Sequence, residues 1–224
     1  LYTGVFRANQ VLASIEKIRP NVTDEPQITK LAQIEAQAYS LRGLFYFYLN
    51  NSFNNGNVPY INEIAEVEED YYKKVTPSDE IKKYYREDLQ KALDLGLNDK
   101  WEKTDLGRIT SWAVKAILGK SYLYDKEYNK AAEYFKDIID NGGFALVDDI
   151  VDNFTAANEF NSESILEVSY STQYNTEFGT WSESTLYNIW GMNVNGLGDA
   201  WLNTVPAFWL VEAFETEPVD RLDE

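Results

Sequence analysis

Four aromatic residues near the C-terminal end, Trp181, Tyr187, Trp190 and Trp201, are interleaved with Asn188, Asn193, Asn195 and Asp199. Flat rings stack on the apolar faces of a sugar, while amides and carboxylates take its hydroxyls. The stretch shows no helical period, and Gly191, Gly196 and Gly198 let its backbone bend around a ligand. Trp181, Tyr187, Trp190, Asn193, Asn195 and Trp201 are therefore the candidate ligand-binding residues, and their composition suits a neutral carbohydrate. Any one of these rings could equally pack a loop against a core. The cluster, not the single residue, carries the reading.

Catalysis has little to work with. The chain has no Cys and no His, which removes disulfides, thiolate and imidazole nucleophiles and the commonest zinc ligands. Glu163 and Glu167 could flank a glycosidic bond, since glycoside hydrolysis needs a pair of carboxyls. On a strand they would face the same side, but so would two solvent-facing acids on a half-buried strand. No catalytic residue is assigned, no metal ligand and no cofactor, and the chain reads as a non-enzyme. Residues 63–70 carry Glu63, Glu66, Glu68, Glu69 and Asp70. They lack the regular Asp/Asn spacing of a calcium loop and read as a solvated acidic segment.

The formal charge of −17 over 224 residues, with 44% apolar and 15% aromatic content, fits one folded domain with a sizeable core. It also opposes nucleic acid and anionic membrane surfaces, which such a surface would repel.

Helical periodicity dominates the first 143 residues. Val5, Ala8, Val11, Leu12, Ile15 and Ile18 form one stripe, closed by Arg19-Pro20. A long apolar helix follows over 28–53, on which Leu31, Ile34, Ala38, Leu41, Phe45 and Tyr48 recur at steps of three and four, so that stripe is expected to be buried. The residues from 21 to 26 read as a turn. Thr76 or Ser78 opens a helix over 79–95 that buries Ile81, Tyr84, Tyr85, Leu89, Ala92 and Leu93, and Gly96 stops it. Thr110 caps a helix over 111–124, and another runs over 128–141.

Leu118, Gly119, Tyr122, Ala131 and Phe135 match a tetratricopeptide unit: Gly119 and Ala131 let two helices approach, and Tyr122 and Phe135 fill the groove between them. The aromatic residue that such a unit places at Lys115 is displaced to Trp112. About three antiparallel helix pairs are expected, stacked as a short solenoid. After Gly143 the pattern changes. Residues 144–147 and 165–170 read as short strands, and 206–214 as a short helix.

Several phrases, in order, resemble the SusD/RagB family of outer-membrane nutrient-binding lipoproteins: Arg7-Ala8-Asn9 on the first helix, Leu41-Arg42-Gly43 followed by aromatics, Val58-Pro59, Gly107-Arg108-Ile109-Thr110, and Asn161 through Val168. The resemblance implies a mostly α fold, a tetratricopeptide-like helical solenoid over 1–143 with a loop-rich region over 144–224 that carries a few short strands and a terminal helix within the same domain. It also implies non-catalytic glycan binding at the outer membrane's extracellular face and delivery to a SusC-like TonB-dependent transporter. The family is lipid-anchored at the N-terminus and about twice as long, so the chain resembles its central portion, with the anchor outside it. The competing expectation is a tetratricopeptide-type module that binds a peptide or partner protein. A peptide binder should show a basic or apolar groove on its helices, and a glycan binder exposed rings on its loops.

Overall fold

The computed structural model describes residues 1–169 and 207–216. Five long helices build the first compact unit, Leu1–Val168: α1 Tyr2–Ile18, α2 Glu25–Ser52, α3 Ser78–Asp94, α4 Ser111–Tyr124 and α5 Tyr128–Asn141. The fold is mostly helical, as the periodicity indicates, with five helices in place of three full pairs. α2 is the shared element, packed against α1 on one side and α3 on the other, and α4 pairs with α5.

Small residues set these contacts. A Cβ on Gly43 would come within 2.8 Å of the Leu89 side chain, so α2 and α3 meet where α2 has no side chain. A Cβ on Gly119 would come within 2.7 Å of the Phe135 ring, and Ala131 is buried. The α4–α5 approach is therefore the one that the tetratricopeptide spacing predicts. Tyr122 differs: it stacks on Tyr134 with centroids 5.9 Å apart, and it carries Arg86 at 4.2 Å from its ring centroid. It joins α3 to the hairpin and does more than fill the groove.

Three expectations are corrected. α2 begins at Glu25, with Pro26 in its first turn, because a Pro there forfeits only an N–H that would have no helical partner. The apolar stripe of α2 is only partly buried: Leu31 and Ala38 are, but Ile34, Leu41 and Tyr48 are 38%, 40% and 47% exposed. The buried face instead includes Glu35, Ser40, Arg42, Gly43 and Asn50, since the close contacts to α1 and α3 select small and hydrogen-bonded residues. Residues 144–147 and 165–169 form no strand, although the Ala145 N–H donates to the Ser162 carbonyl at 3.0 Å. Without a ladder of such bonds a strand pattern stays a loop. Residue 170, the end of that expected strand, lies outside the described residues.

The strands among the described residues are β1, Val58–Pro59, and β2, Val75–Thr76, paired antiparallel. They tie the exit of α2 to the entry of α3. Asn50 Nδ2 donates to the Gly56 carbonyl and to Ser78 Oγ, both at 2.9 Å. The Tyr46 hydroxyl accepts from the Ile61 N–H at 2.6 Å. The second unit, Ser169–Glu224, contains α6, Phe208–Thr216, with Phe208 and Trp209 exposed. No helix among the described residues is long and apolar enough to cross a membrane.

Candidate functional site

Three places in the first unit bring polar or aromatic groups together. The first is a buried network at the centre. Arg42 donates from Nε and Nη2 to both carboxylate oxygens of Asp88 at 2.7 Å, and from Nη1 to Asn9 Oδ1 at 2.9 Å. Asn9 Nδ2 donates onward to the Ile61 carbonyl at 3.0 Å. Asn9, Arg42 and Asp88 are 2%, 7% and 5% exposed. Burial pushes the Asp88 carboxyl above its ordinary value, and the bidentate hydrogen bonds from Arg42 pull against that push. The motif residues Asn9 and Arg42 thus bind α1, α2 and α3 together. Both border an open cleft beside residues 62–70, but their hydrogen-bonding groups are spent inside the fold, which makes their role architectural.

The second is a groove over α3, α4 and α5, lined by Lys82, Arg86, Lys130, Tyr122 and Tyr134, with a volume of about 500 Å³. Its cations are already engaged. Lys82 and Arg86 each lie 2.6 Å from Asp125, and Lys130 lies 2.6 Å from Glu127. Burial works to raise the Asp125 carboxyl, but the hydrogen bonds from Lys82 and Arg86 hold it below the usual carboxylate range. A basic peptide-binding groove needs cations to spare, and this one has neutralised them.

The third is a cleft of about 450 Å³, formed where the loop 99–110 and the start of α4 meet the loops that follow α5. Trp101, Trp112, Phe144 and Phe160 line it, with Asp99, Lys100, Arg108 and Glu167 among its polar groups. The Trp101 Nε1–H donates to the Ile109 carbonyl at 2.9 Å, and the Arg108 guanidinium lies 5.6 Å from the Trp101 ring centroid. Arg108 is also bound to Asp105 at 2.7 Å. Thr110 caps α4, its hydroxyl accepting from the Ala113 N–H at 3.2 Å, and so fixes where Trp112 stands. This is a ring-lined loop cleft of a size that takes small ligands.

Trp181, Tyr187, Trp190, Asn193, Asn195 and Trp201 lie outside the described residues, so the structure does not address them. It does place Glu163 and Glu167. Glu163 accepts from Asn153 Nδ2 at 2.7 Å. Glu167 accepts from the Phe160 N–H at 2.8 Å and from Ser164 Oγ at 3.0 Å. They are loop fasteners, not solvent-facing acids on a strand, and each has an anchoring bond that a catalytic carboxyl would have to give up. In the acidic segment, Asp70 accepts backbone N–H groups of Glu66 and Val67 at 3.0 and 3.3 Å, which holds its carboxyl below the ordinary range. The sequence carries one trace of this loop cleft, the displaced aromatic, Trp112 in place of a ring at Lys115.

A family model described as "Starch-binding associating with outer membrane" matches residues 1–123. The chain is similar to a SusD-like protein of Bacteroides ovatus, 28% identical over 193 residues, which covers 81% of this chain and 33% of the relative. Among solved structures it is similar to a laminarin-binding SusD-like protein, 31% identical with a TM-score of 0.71, over 81% of this chain and 39% of that one. It is also similar to surface glycan-binding protein A from Bacteroides uniformis, 27% identical with a TM-score of 0.65, over 75% of this chain and 36% of that one. The chain spans about a third of the length of the curated relatives it matches.

Proposed function

The chain belongs to the SusD-like family, whose members are described as starch-binding and associated with the outer membrane, and on that premise we propose that it binds a neutral glycan without chemically changing it. The observation that carries this is the likeness to a laminarin-binding protein across four-fifths of the chain at 31% identity. The paired cations of the helical groove and the rings of the loop cleft support the same reading. Ligand contact is proposed at Trp181, Trp190 and Trp201 as stacking rings, with Tyr187, Asn193 and Asn195 taking hydroxyls.

In the whole protein this binding serves delivery to a SusC-like TonB-dependent transporter, from a lipid-anchored position on the extracellular face of the outer membrane. The test is calorimetry on the full-length protein with laminarin and a polysaccharide panel. Single changes Trp181→Ala, Trp190→Ala and Trp201→Ala should each weaken binding. Wild-type affinity in all three folded variants would move the site elsewhere. Copurification of the transporter from native membranes tests the delivery step.

One observation favours the second reading, a protein-interaction module. An apolar groove of about 330 Å³ runs between α1 and α2, lined by Val11, Ile34, Leu41 and Phe45 with Arg7 and Arg108 at its edge. Leu41→Asp should abolish a protein contact there and leave glycan binding intact.

A further inference from the structure

Trp112 is a large aromatic residue that the core does not use. Trp101, Tyr122 and Tyr134 pack against the central apolar cluster, and Trp112 is absent from it. It stands in the first turn of α4 and lines the loop cleft. Its indole N–H has no hydrogen-bond partner among the described residues, and the Lys115 ammonium sits 4.2 Å from its ring centroid. No buried side-chain nitrogen or oxygen among the described residues lacks a partner, so this N–H is open to solvent and free to donate to a ligand acceptor.

The opposite wall is built under strain. Phe160 has a φ of 57°, a left-handed conformation that bulky residues rarely adopt and that clusters at ligand sites. The Glu167 carboxylate holds it there by accepting its N–H at 2.8 Å. Across from it, a Cβ on Gly107 would lie 3.4 Å from the tip of the Phe160 ring, at ordinary van der Waals distance, so the two loops adjoin there.

The polar groups of the cleft divide into used and unused. Arg108 is bound to Asp105, and Glu167 to Phe160 and Ser164. Asp99 and Lys100 are exposed and make no hydrogen bond or ion pair among the described residues. They are adjacent and of opposite sign, so the unused charge sums to nothing. That set offers hydroxyl acceptors and donors beside a ring and no net attraction for an ionised ligand.

We infer that this cleft, lined among the described residues by residues 99–167, is a carbohydrate subsite in which an uncharged sugar unit packs on Trp112 while Asp99 and Lys100 take its hydroxyls. The inference rests on the glycan-binding reading but not on the Trp181 to Trp201 stretch.

The six Trp residues give the test. Their indole N–H signals in the ¹⁵N-labelled chain, assigned with single Trp→Phe variants, are followed while neutral hexasaccharides (β-1,3-glucan, α-1,4-glucan, β-1,4-glucan and β-1,4-mannan) and a uronate hexamer are added. The Trp112 signal should shift saturably with a neutral hexamer and stay fixed with the uronate. Asp99→Ala and Lys100→Ala, at exposed positions with no internal bond to lose, should each weaken that titration at least fivefold. A Trp112 signal unmoved by every neutral probe, or moved only by the uronate, overturns the subsite. The other signals separate the two claims. Shifts at Trp181, Trp190 or Trp201 with Trp112 still would sink the subsite and leave glycan binding standing, and shifts at Trp112 alone would do the reverse for the stretch. Silence at all six overturns both.

Discussion

At the residue scale, the decisive interaction is the Arg42–Asp88 pair, because it is buried and one partner cannot be lost quietly. Arg42→Met should destabilise the protein by about 3–5 kcal/mol, the usual result of leaving a buried charge without its partner. Arg42→Met with Asp88→Leu should recover most of that loss, since an apolar pair replaces a desolvated ionic one at little net cost. Denaturant titration of the three proteins checks both. Arg42 was legible as a motif, but its partner was not: Asp88 shares the buried stripe of α3 with Ile81, Tyr85 and Ala92, and reading only apolar positions passes over the one charged residue among them. Asp125 offers a pH test. Its carboxyl is held low by Lys82 and Arg86, so it contributes stability above the ordinary carboxylate value of about 4, and that contribution is lost as pH falls through the lower folded value. Acidification from about pH 5 to about pH 2.5 should therefore lower the denaturation midpoint more in the wild type than in Asp125→Asn.

At the element scale, the close helix approaches make the sharpest prediction. Gly119→Leu should cost about 1–3 kcal/mol or more, because even a Cβ would meet the Phe135 ring at 2.7 Å. Phe135→Ala in the same chain should relieve part of that cost, and a double-mutant cycle on unfolding free energies reads the coupling. Melting of Gly119→Leu at the wild-type temperature would mean that α4 and α5 do not meet there. This contact was legible because small residues at fixed spacing report a close approach directly. The exposed side of α2 was not. Ile34, Leu41 and Tyr48 follow the same period as Leu31 and Ala38, and period alone does not say which side of a two-sided helix has a partner. The short strands failed for the related reason that alternation in 144–147 and 165–169 names a face without supplying the neighbouring backbone that a strand needs.

At the scale of the whole molecule, the formal charge of −17 sets what can approach. A field of one sign steers cations in, turns anions away and leaves an uncharged glycan indifferent. Several of the positive charges are paired within the fold, with Arg42 on Asp88, Lys82 and Arg86 on Asp125, and Lys115 on Asp137. An anionic polysaccharide would have to compete with those carboxylates for these cations and approach against the net negative field. Binding of a neutral glycan displaces no counterions, so its affinity should change less than about twofold between 50 and 500 mM salt, where surface charges pass from weakly to strongly screened. Calorimetry with laminarin at the two salt concentrations reads this directly. A laminarin affinity that changes steeply with salt in either direction would show that binding is coupled to ion uptake or release by the protein. Either slope would overturn a contact made by stacking and hydroxyl hydrogen bonds alone.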